Sequence, residues 1–404
     1  MMRDTSQNFL PLLLSFDGNA MLVRLKNIIS LLLFCLLYFM FPQRKIVRNR
    51  NLLFVNHGFL GELILCTTLF ENENKFKNSH EVYFLINESY RELFSHYKGR
   101  IKLLYVHTEQ YRQNLFYRIK FIRFLRQFEF YQCYNLNIKN GLRIRDEIAL
   151  LSGATQIFTL KDTYKNSIKP IGNTFITNLY TRVLHYNTEN EFYKRTLLIE
   201  EVIGNKISFS TLLPIDEATI EHTKQKLGEL PFYDRSLPLI VISPISGHKT
   251  YDWPVENYRK LIDEVSKTFK VNILILISKD QLKDVTPLFS LCKKGVYLIS
   301  NAFSLSEKIA LVHLSTLFIG NDSGLTHVAK AFKKKFIGVI GGAFFGRYFP
   351  YEPKNNEYYM YHKMDCFGCE MKCIYKEPFC STNVQPQDII TLVERILSDE
   401  HKNI

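Results

Sequence analysis

The residues whose types and spacing could support chemistry are concentrated in the stretch Phe318 to Ala331, which reads F-I-G-N-D-S-G-L-T-H-V-A-K-A. A short apolar run ends at Gly320, a tight polar turn follows, and helical spacing begins at Leu325. A strand that turns directly into a helix leaves backbone N–H groups unsatisfied at the positive end of the helix. That end suits a phosphate, and Asp322 and His327 flank it. An ordinary strand, turn and helix, in which the aspartate only caps, fits the same residues.

Two further polar loops follow apolar runs that we predict to be strands. His57–Glu62 comes after Asn51–Asn56, and Ser243–Trp253 comes after Leu237–Ser243. Strands alternate with helices over most of the remaining chain, which predicts parallel, doubly wound α/β sheets. Because the carboxyl ends of parallel strands share one edge of a sheet, we expect the three polar loops to face a ligand crevice.

Length and composition suggest a globular protein of two or three domains. The chain has 404 residues, of which 46% are hydrophobic and 23% are charged. Pro214 and Pro231 bracket a polar helical pattern. We therefore place a linker at residues 214–236, between one α/β domain at 51–213 and a second at 237–404.

Residues 1–50 form a hydrophobic and basic segment that precedes these domains. Its apolar part, Ile28 to Phe41, has basic residues on both sides. As a helix it reaches about 21 Å, short of the roughly 30 Å hydrocarbon core of a membrane. It therefore favours a helix lying in the interface of an anionic membrane, ahead of a tilted single span or a helix buried on the first domain. The net charge of +13 also favours an anionic partner.

Four of the eight cysteines form a compact C-x2-C-x3-C-x6-C cluster: Cys366, Cys369, Cys373 and Cys380. Four thiolates at this density can bind a structural zinc ion. The same spacing permits two disulfides, although a cytosolic location would keep the thiols reduced. A nucleic-acid binder with a zinc knuckle is disfavoured, because no close histidine ligand and no basic strand with interleaved aromatic residues accompany the cluster. We expect no nucleic-acid partner.

Together these motifs resemble glycosyltransferase family nine, the heptosyltransferase-like enzymes, over about Asn51 to Leu397. The most specific element is D-S-G-L-T-H-V-A-K-A at Asp322–Ala331, which matches the family pattern D-[ST]-G-x-x-H-x-x-x-A. A strand, a loop and W-P at Leu237–Leu261 match a second family element, and G-E at Gly61–Glu62 before an apolar helix matches a third. A fourth is G-G-A-F-F-G-R-Y-F-P at Gly341–Pro350, ahead of the cysteine-rich tail.

The resemblance implies a GT-B fold, in which two Rossmann-like, doubly wound domains face a central cleft; an N-terminal hydrophobic helix would precede them here. It implies an inverting, metal-independent transfer of a heptose or related sugar from a nucleotide-diphosphate donor to a lipopolysaccharide-type or other lipid-linked surface glycan. No cofactor would be required for catalysis, and zinc would be structural. The expected location is the cytoplasmic face of the inner membrane, as a peripheral or single-anchor protein on an anionic membrane surface.

The resemblance also assigns catalytic residues. Glu62 stands where the family has an aspartate base, and either carboxylate can remove a proton from an acceptor hydroxyl. The family has a basic residue two positions before the tryptophan, where this chain has Tyr251. Lys249 or His248 must then supply the cation, and we favour Lys249. Because Glu62 and Tyr251 depart from the family pattern, a non-catalytic sugar-nucleotide or glycan-binding protein on the same scaffold is the alternative.

The donor-binding residues implied by the resemblance all lie in the first motif. The backbone N–H groups of Ser323, Gly324 and Leu325 would bind the diphosphate. Asp322 would bind the sugar, and His327 would lie near the phosphate. Fixed donors at this point would stabilise the charge that develops on the leaving diphosphate.

Overall fold

The computed structural model of the protein describes residues 18–77, 80–137, 144–161, 163, 173–247, 251–292, 295–300 and 302–402. Within these residues the chain forms two parallel β-sheets covered by helices. The predicted class, two doubly wound α/β units, is confirmed. We propose residues 51–213 as lobe 1 and residues 237–404 as lobe 2, the division indicated by the sequence, with residues 214–236 between them.

The strands of both sheets run parallel to their neighbours. In the described part of lobe 1 they are β1 (Asn51–Val55), β2 (Val82–Asn87), β3 (Lys102–Val106), β4 (Phe130–Asn135), β5 (Gln156–Leu160) and β6 (Arg182–Leu184). In the described part of lobe 2 they are β7 (Leu239–Ser243), β8 (Asn272–Leu276), β9 (Val296–Ile299), β10 (Leu317–Asn321), β11 (Phe336–Val339) and β12 (Glu357–Met360).

Helices connect and cover these strands. Those before residue 214 are α1 (Gly18–Met40), α2 (Leu60–Leu65), α3 (Thr68–Glu71), α4 (Thr108–Gln113), α5 (Leu115–Arg126), α6 (Ile144–Leu151), α7 (Asn173–Asn178) and α8 (Glu191–Ile203). Those after it are α9 (Glu217–Gly228), α10 (Val255–Thr268), α11 (Leu305–Leu314), α12 (Gly324–Ala331), α13 (Phe379–Thr382) and α14 (Pro386–Lys402).

The strand orders of the two sheets are equivalent. Sheet order is β3-β2-β1-β4-β5-β6 in lobe 1 and β12-β11-β10-β7-β8-β9 in lobe 2. The order reverses between β1 and β4 in one sheet and between β7 and β10 in the other. Open α/β sheets bind ligands beyond the carboxyl ends of the strands at this reversal point. The three polar loops singled out from the sequence follow β1, β7 and β10, so each begins at such a point.

Alternate residues of the central strands face different cores. In β1, Leu52 and Phe54 belong to a core shared by the two sheets, whereas Leu53 and Val55 belong to a second core on the outer side of lobe 1. The shared core continues into β7 through Val241. This period of two is the geometry of a strand with helices on both faces, and it holds the two lobes together over a common apolar interior.

Several predicted helices take a different form. The sequence of Glu88–Tyr97 predicts a helix, but these residues form two short 3-10 turns, Glu88–Tyr90 and Glu92–Phe94. The sequence of Gln281–Cys292 also predicts a helix, and 3-10 turns replace it, of which the second is Thr286–Leu291 with a proline at its start. Proline lacks the N–H that a continuous α-helix would need there, so this helical prediction was wrong in type.

Helix α1 lies against the outer side of lobe 1. Phe34, Leu37 and Phe41 are buried in the outer core, whereas the opposite face of the helix is exposed. The helix is therefore partly packed on the first lobe, as in one of the two less favoured alternatives, and partly exposed, as an interfacial helix requires. Among the described helices, none combines the length and the hydrophobicity needed to cross a membrane.

Candidate active site

A cleft of about 860 Å³ lies between the lobes and is lined by residues from both. Lobe 1 contributes the start of α2, including Glu62. Lobe 2 contributes Asp322 and the start of α12, Ser323–Leu325. Ser243, the last residue of β7, and Gly247, in the loop after it, also line the cleft. The structure therefore brings the predicted base and the predicted donor-binding residues into one shared space.

Two glycines allow α2 and α12 to meet at the cleft. A Cβ atom added to Gly61 would lie 2.8 Å from Cδ2 of His327, and one added to Gly324 would lie 3.0 Å from Cβ of Leu60. Cβ atoms essentially never approach other atoms as closely as 2.8 Å. Glycine in the G-E and D-S-G motifs is thus explained partly by packing, because the start of each helix is in close contact with the other lobe.

Glu62 is held in place by a charge pair and a backbone donor. Its Oε2 lies 3.1 Å from Nη2 of Arg145 and accepts a hydrogen bond of 3.3 Å from the Phe59 N–H. Burial alone would raise the pKa of Glu62, but the guanidinium groups of Arg145 and Arg195, with these hydrogen bonds, hold the pKa below its ordinary value. Glu62 is therefore an ionised carboxylate at neutral pH.

The loop before Glu62 is fixed by Asn56. The Asn56 amide donates to the Glu62 carbonyl at 3.1 Å, and its Oδ1 accepts from the Gly58 N–H at 3.0 Å. The next residue, His57, is buried, and burial together with the charge of Arg145 lowers its pKa to about 3. His57 is therefore neutral and does not compete with Arg145 for the carboxylate.

Arg145 was not identified from the sequence. It lies in the first turn of α6, lines the cleft, and donates from Nη1 to Oδ1 of Asn137 at 2.8 Å as well as pairing with Glu62. Its side chain is about 18% exposed. A single arginine at a helix start carries no local signal for this role, because its partner belongs to a different βα unit.

On the lobe 2 side, Asn321 anchors the turn between β10 and α12. Its Nδ2 donates to the Pro244 carbonyl at 2.6 Å, and its Oδ1 accepts from the Trp253 N–H at 3.0 Å. Trp253 is fully buried, and its indole N–H donates to the Val384 carbonyl at 2.8 Å. The W-P element therefore acts behind the cleft, where it ties the loop after β7 to the donor-binding motif.

Helix α12 begins at the cleft without a cap. The Ser323 side chain forms no capping hydrogen bond to the helix start and instead lies 3.3 Å from the Thr326 hydroxyl. Among the described residues, the first N–H groups of the helix are thus not satisfied by its N-cap side chain. The capping role considered for Asp322 and Ser323 is not observed, and the amides remain available to an anion.

Near neutral pH, His327 is uncharged and Asp322 is only partly ionised. Burial, reinforced by the nearby carboxylate of Asp252, raises the pKa of Asp322 to about 7. Burial, reinforced by Lys330 and Arg195, lowers the pKa of His327 to about 3. The His327 ring stacks on Phe349 with centroids 4.0 Å apart. His327 lines the cleft, but as a neutral imidazole it supplies a hydrogen-bonding edge rather than a cation.

The cation predicted at Lys249 lies outside the described residues, as does His248. Tyr251, which occupies the family's basic position, donates its hydroxyl hydrogen to the Met371 carbonyl at 2.7 Å. Lys308, on α11, is a cleft-lining lysine that was not identified from the sequence; its Nζ donates to the Ile277 carbonyl at 2.8 Å. Burial lowers the pKa of Lys308.

Comparison with known proteins supports the resemblance. The model of glycosyltransferase family 9 (heptosyltransferase) matches residues 179–376 of this chain. Lipopolysaccharide heptosyltransferase 1 of Campylobacter coli is 25% identical over 249 residues, which cover 58% of this chain and 69% of that protein. The chain is thus similar to the heptosyltransferases of glycosyltransferase family 9. The similarity indicates a glycosyltransferase, as the resemblance implied.

Solved structures share its architecture. The glycosyl transferase family 9 protein from Veillonella parvula matches with a TM-score of 0.67 and 15% identity, covering 88% of this chain and 100% of that one. E. coli ADP-heptose lipopolysaccharide heptosyltransferase II matches with a TM-score of 0.64 and 13% identity, covering 87% and 99%. These likenesses confirm the predicted GT-B fold.

The cysteine cluster gathers its four residues in one region. Burial and the neighbouring Cys366, Cys373 and Cys380 raise the pKa of Cys369, so the four cysteines lie near one another. Cys380 is buried at α13, and Cys373 Sγ lies 3.8 Å from the Glu377 carbonyl. In the described part of the chain, no group of three or more His, Cys, Asp or Glu side chains is placed to hold a metal ion. The structural zinc site considered for these cysteines stays a prediction.

Proposed function

We propose that this protein is an inverting, metal-independent glycosyltransferase that moves a heptose or related sugar from a nucleotide-diphosphate donor to a lipid-linked surface glycan. The observation that carries the proposal is that Glu62 and the uncapped start of α12 face one cleft. The names of the relatives indicate the substrates: ADP-heptose as donor and a lipopolysaccharide-type acceptor.

The lobe 2 side of the cleft would bind the donor. The N–H groups of Ser323, Gly324 and Leu325 would hold the diphosphate, with Lys249 as the proposed additional cation. Asp322, whose pKa is about 7, would bind a sugar hydroxyl, since a carboxyl group can both donate and accept hydrogen bonds when protonated. Negative charge grows on the diphosphate as it leaves, so fixed amides favour the transition state over the ground state.

The lobe 1 side would activate the acceptor. Glu62 would accept the proton of an acceptor hydroxyl as its oxygen bonds to the anomeric carbon and the bond to the diphosphate breaks. Attack on the face opposite the leaving group inverts the configuration at that carbon. Arg145 would position the carboxylate through the 3.1 Å contact between Nη2 and Oε2. A lipid-linked acceptor would place the enzyme at the cytoplasmic face of the inner membrane.

The experiment has two parts. Purified full-length protein is first screened against a panel of nucleotide sugars for a rise in melting temperature, because a bound donor stabilises by mass action. ADP-heptose should give the largest rise. The stabilising donor is then incubated with heptose-free lipopolysaccharide, with and without a metal chelator, and the product is analysed by NMR.

The proposal predicts a product of inverted anomeric configuration in equal yield with and without chelator. A retained configuration would reject the single displacement, and loss of turnover with chelator would reject metal independence. A donor that binds without any transfer to a range of glycan acceptors would contradict the proposed acceptor class.

A further inference from the structure

The outer side of lobe 1 carries a continuous apolar surface on α1. Phe34 and Leu37 face the protein, but the opposite side of the helix exposes large apolar side chains along its length. These are Leu25, Ile28, Ile29, Leu32, Leu36, Phe39 and Met40. Phe39 is 86% exposed. A contiguous apolar patch of this kind on a soluble protein marks a surface that contacts another apolar phase.

A second helix, α5, lies beside the end of α1 on the same side. Arg126, the last residue of α5, donates from Nη2 to the Pro42 carbonyl at 2.7 Å and from Nη1 to the Phe41 carbonyl at 3.3 Å. Both helices also bury residues in the outer core of lobe 1. The exposed side of α5 combines aromatic and basic residues at helical spacing: Phe116, Lys120, Arg123 and Phe124.

The charge around these two helices is strongly positive. Two nearby acids, Glu109 and Glu129, are paired with Arg112 and Arg44. Several exposed cations on α1, on α5 and in the segment between α1 and β1 have no carboxylate partner within 4.0 Å among the described residues: Lys26, Lys45, Arg48, Arg50, Lys120 and Arg123. An apolar stripe flanked by unpaired cations is complementary to an anionic lipid surface.

We propose that α1 and α5 form one membrane-docking surface, by which the outer side of lobe 1 binds an anionic lipid bilayer. The apolar side chains of α1 and the rings of Phe116 and Phe124 would enter the boundary between headgroups and acyl chains, while the cations contact anionic headgroups. A second copy of the chain is a poor occupant, because an isologous contact would oppose the same basic surfaces. The proposal goes beyond the transfer reaction and is tested without donor or acceptor.

The first test is co-sedimentation of the full-length protein with extruded vesicles. We expect binding to vesicles of phosphatidylcholine and phosphatidylglycerol in equal parts, and at least about tenfold weaker binding to phosphatidylcholine alone. The Lys120→Glu/Arg123→Glu variant should lose about tenfold on the anionic vesicles. The matched control, Lys270→Glu/Lys279→Glu, makes the same charge change at exposed residues of lobe 2 and should bind like wild type.

The second test separates α5 from α1. Phe116→Ser/Phe124→Ser should weaken vesicle binding about tenfold, whereas Phe232→Ser/Phe289→Ser, at exposed positions outside lobe 1, should not change it. Circular dichroism and melting temperature verify that each variant is folded. If the α5 variant binds as tightly as wild type, α5 is not part of the surface.

A fluorescence reporter gives a direct reading of insertion. The single tryptophan, Trp253, is fully buried in lobe 2 and supplies a constant background. In a Phe116→Trp variant, anionic vesicles should shift the emission of the new indole to the blue. An unshifted emission with bound vesicles would show that α5 does not enter the bilayer and would overturn the proposal. A stable homo-oligomer in light scattering, which the α5 variants convert to monomers, would overturn the proposal in favour of a protein partner. Loss of vesicle binding would leave glycosyl transfer to a soluble acceptor unaffected.

Discussion

The two sides of the cleft present different kinds of polar group to the same space. On the lobe 1 side, Glu62 is an ionised carboxylate paired with Arg145 at 3.1 Å. On the lobe 2 side, the cleft is lined by the start of α12 with its backbone amides, by His327, whose pKa is about 3, and by Asp322, whose pKa is about 7. Lobe 1 thus presents an ion pair, whereas the start of α12 presents backbone dipoles beside an uncharged His327 and a partly ionised Asp322.

This difference indicates a division of tasks between the lobes. A diphosphate can approach the lobe 2 side because the backbone dipoles of α12 attract it and Asp322 is mostly protonated at pH below about 7. A proton acceptor must instead be ionised, and Arg145 maintains that state for Glu62. Changes on the lobe 1 side should therefore alter turnover, and changes on the lobe 2 side should alter donor affinity.

The sharpest test of the division is Glu62→Gln. The amide cannot accept the acceptor proton, so the turnover number should fall about a thousandfold. Donor affinity, measured by calorimetry, should stay within about twofold because the donor binds the other lobe. Glu81→Gln, which removes an exposed carboxylate that pairs with Lys102, is the control and should behave as wild type. Wild-type turnover in the Glu62 variant would refute its assignment as the base.

The contact between the lobes is tested by Gly61→Ala. The new methyl would lie 2.8 Å from the His327 ring, which is itself stacked 4.0 Å from Phe349 and cannot withdraw freely. Overpacking should cost about 1–3 kcal/mol of unfolding free energy and reduce turnover by displacing Glu62. Gly341→Ala is the control, since its Cβ would meet an ordinary contact of 3.8 Å with the Tyr251 carbonyl. Equal melting temperatures for both variants would contradict the close approach.

A smaller effect is expected from Arg145→Met, and it should appear in the pH profile. Arg145 lowers the pKa of Glu62, so its removal should raise that pKa. Activity is lost as Glu62 becomes protonated, and the acid limb of kcat/KM should therefore move to higher pH. Arg145→Lys retains the charge and should keep the acid limb close to that of wild type. An unmoved limb in the methionine variant would show that Arg145 does not control the ionisation of Glu62.

The smallest expected effect concerns Asp322 and donor binding. Above a pH of about 7 its carboxyl ionises and would oppose the diphosphate, so donor affinity should fall as the pH rises. Between about pH 6 and about pH 8 the fall should be about tenfold. Asp322→Asn stays neutral and should flatten this dependence, which calorimetry at several pH values can measure. A variant with the wild-type slope would show that another group is responsible.

Most of the fold could be predicted because buried parallel strands are nearly continuous apolar runs. β1, β7 and β10 are buried at every residue, and each was recognised. The strands β6 and β12 were not, because they are short and only partly buried. For Asn173–Tyr193 the sequence suggested only a loop and a helix lining a cleft, whereas this region contains α7 and β6. Edge strands of this kind lack the local pattern that distinguishes a central strand.

The cysteine cluster shows what spacing alone leaves undecided. The spacing of Cys366, Cys369, Cys373 and Cys380 predicts a zinc site, and charge interactions among the four thiols place them near one another. Among the described residues, however, no group of three or more His, Cys, Asp or Glu side chains has the placement that a metal ion needs. Spacing describes how far apart residues lie along the chain, whereas metal binding requires that they converge on one point. The zinc site stays a prediction.

The sequence by itself determined most of the strands and helices and the turn that starts α12, because these depend on neighbouring residues of the chain. Glu62 became a candidate through the family resemblance. Only the tertiary structure decided that Glu62 faces Ser323 across one cleft, that Arg145 pairs with Glu62, and that α5 lies beside α1. These facts depend on contacts between residues far apart in the chain, which form when separate elements pack over a common core. Local patterns specify the elements, and packing specifies which of them meet.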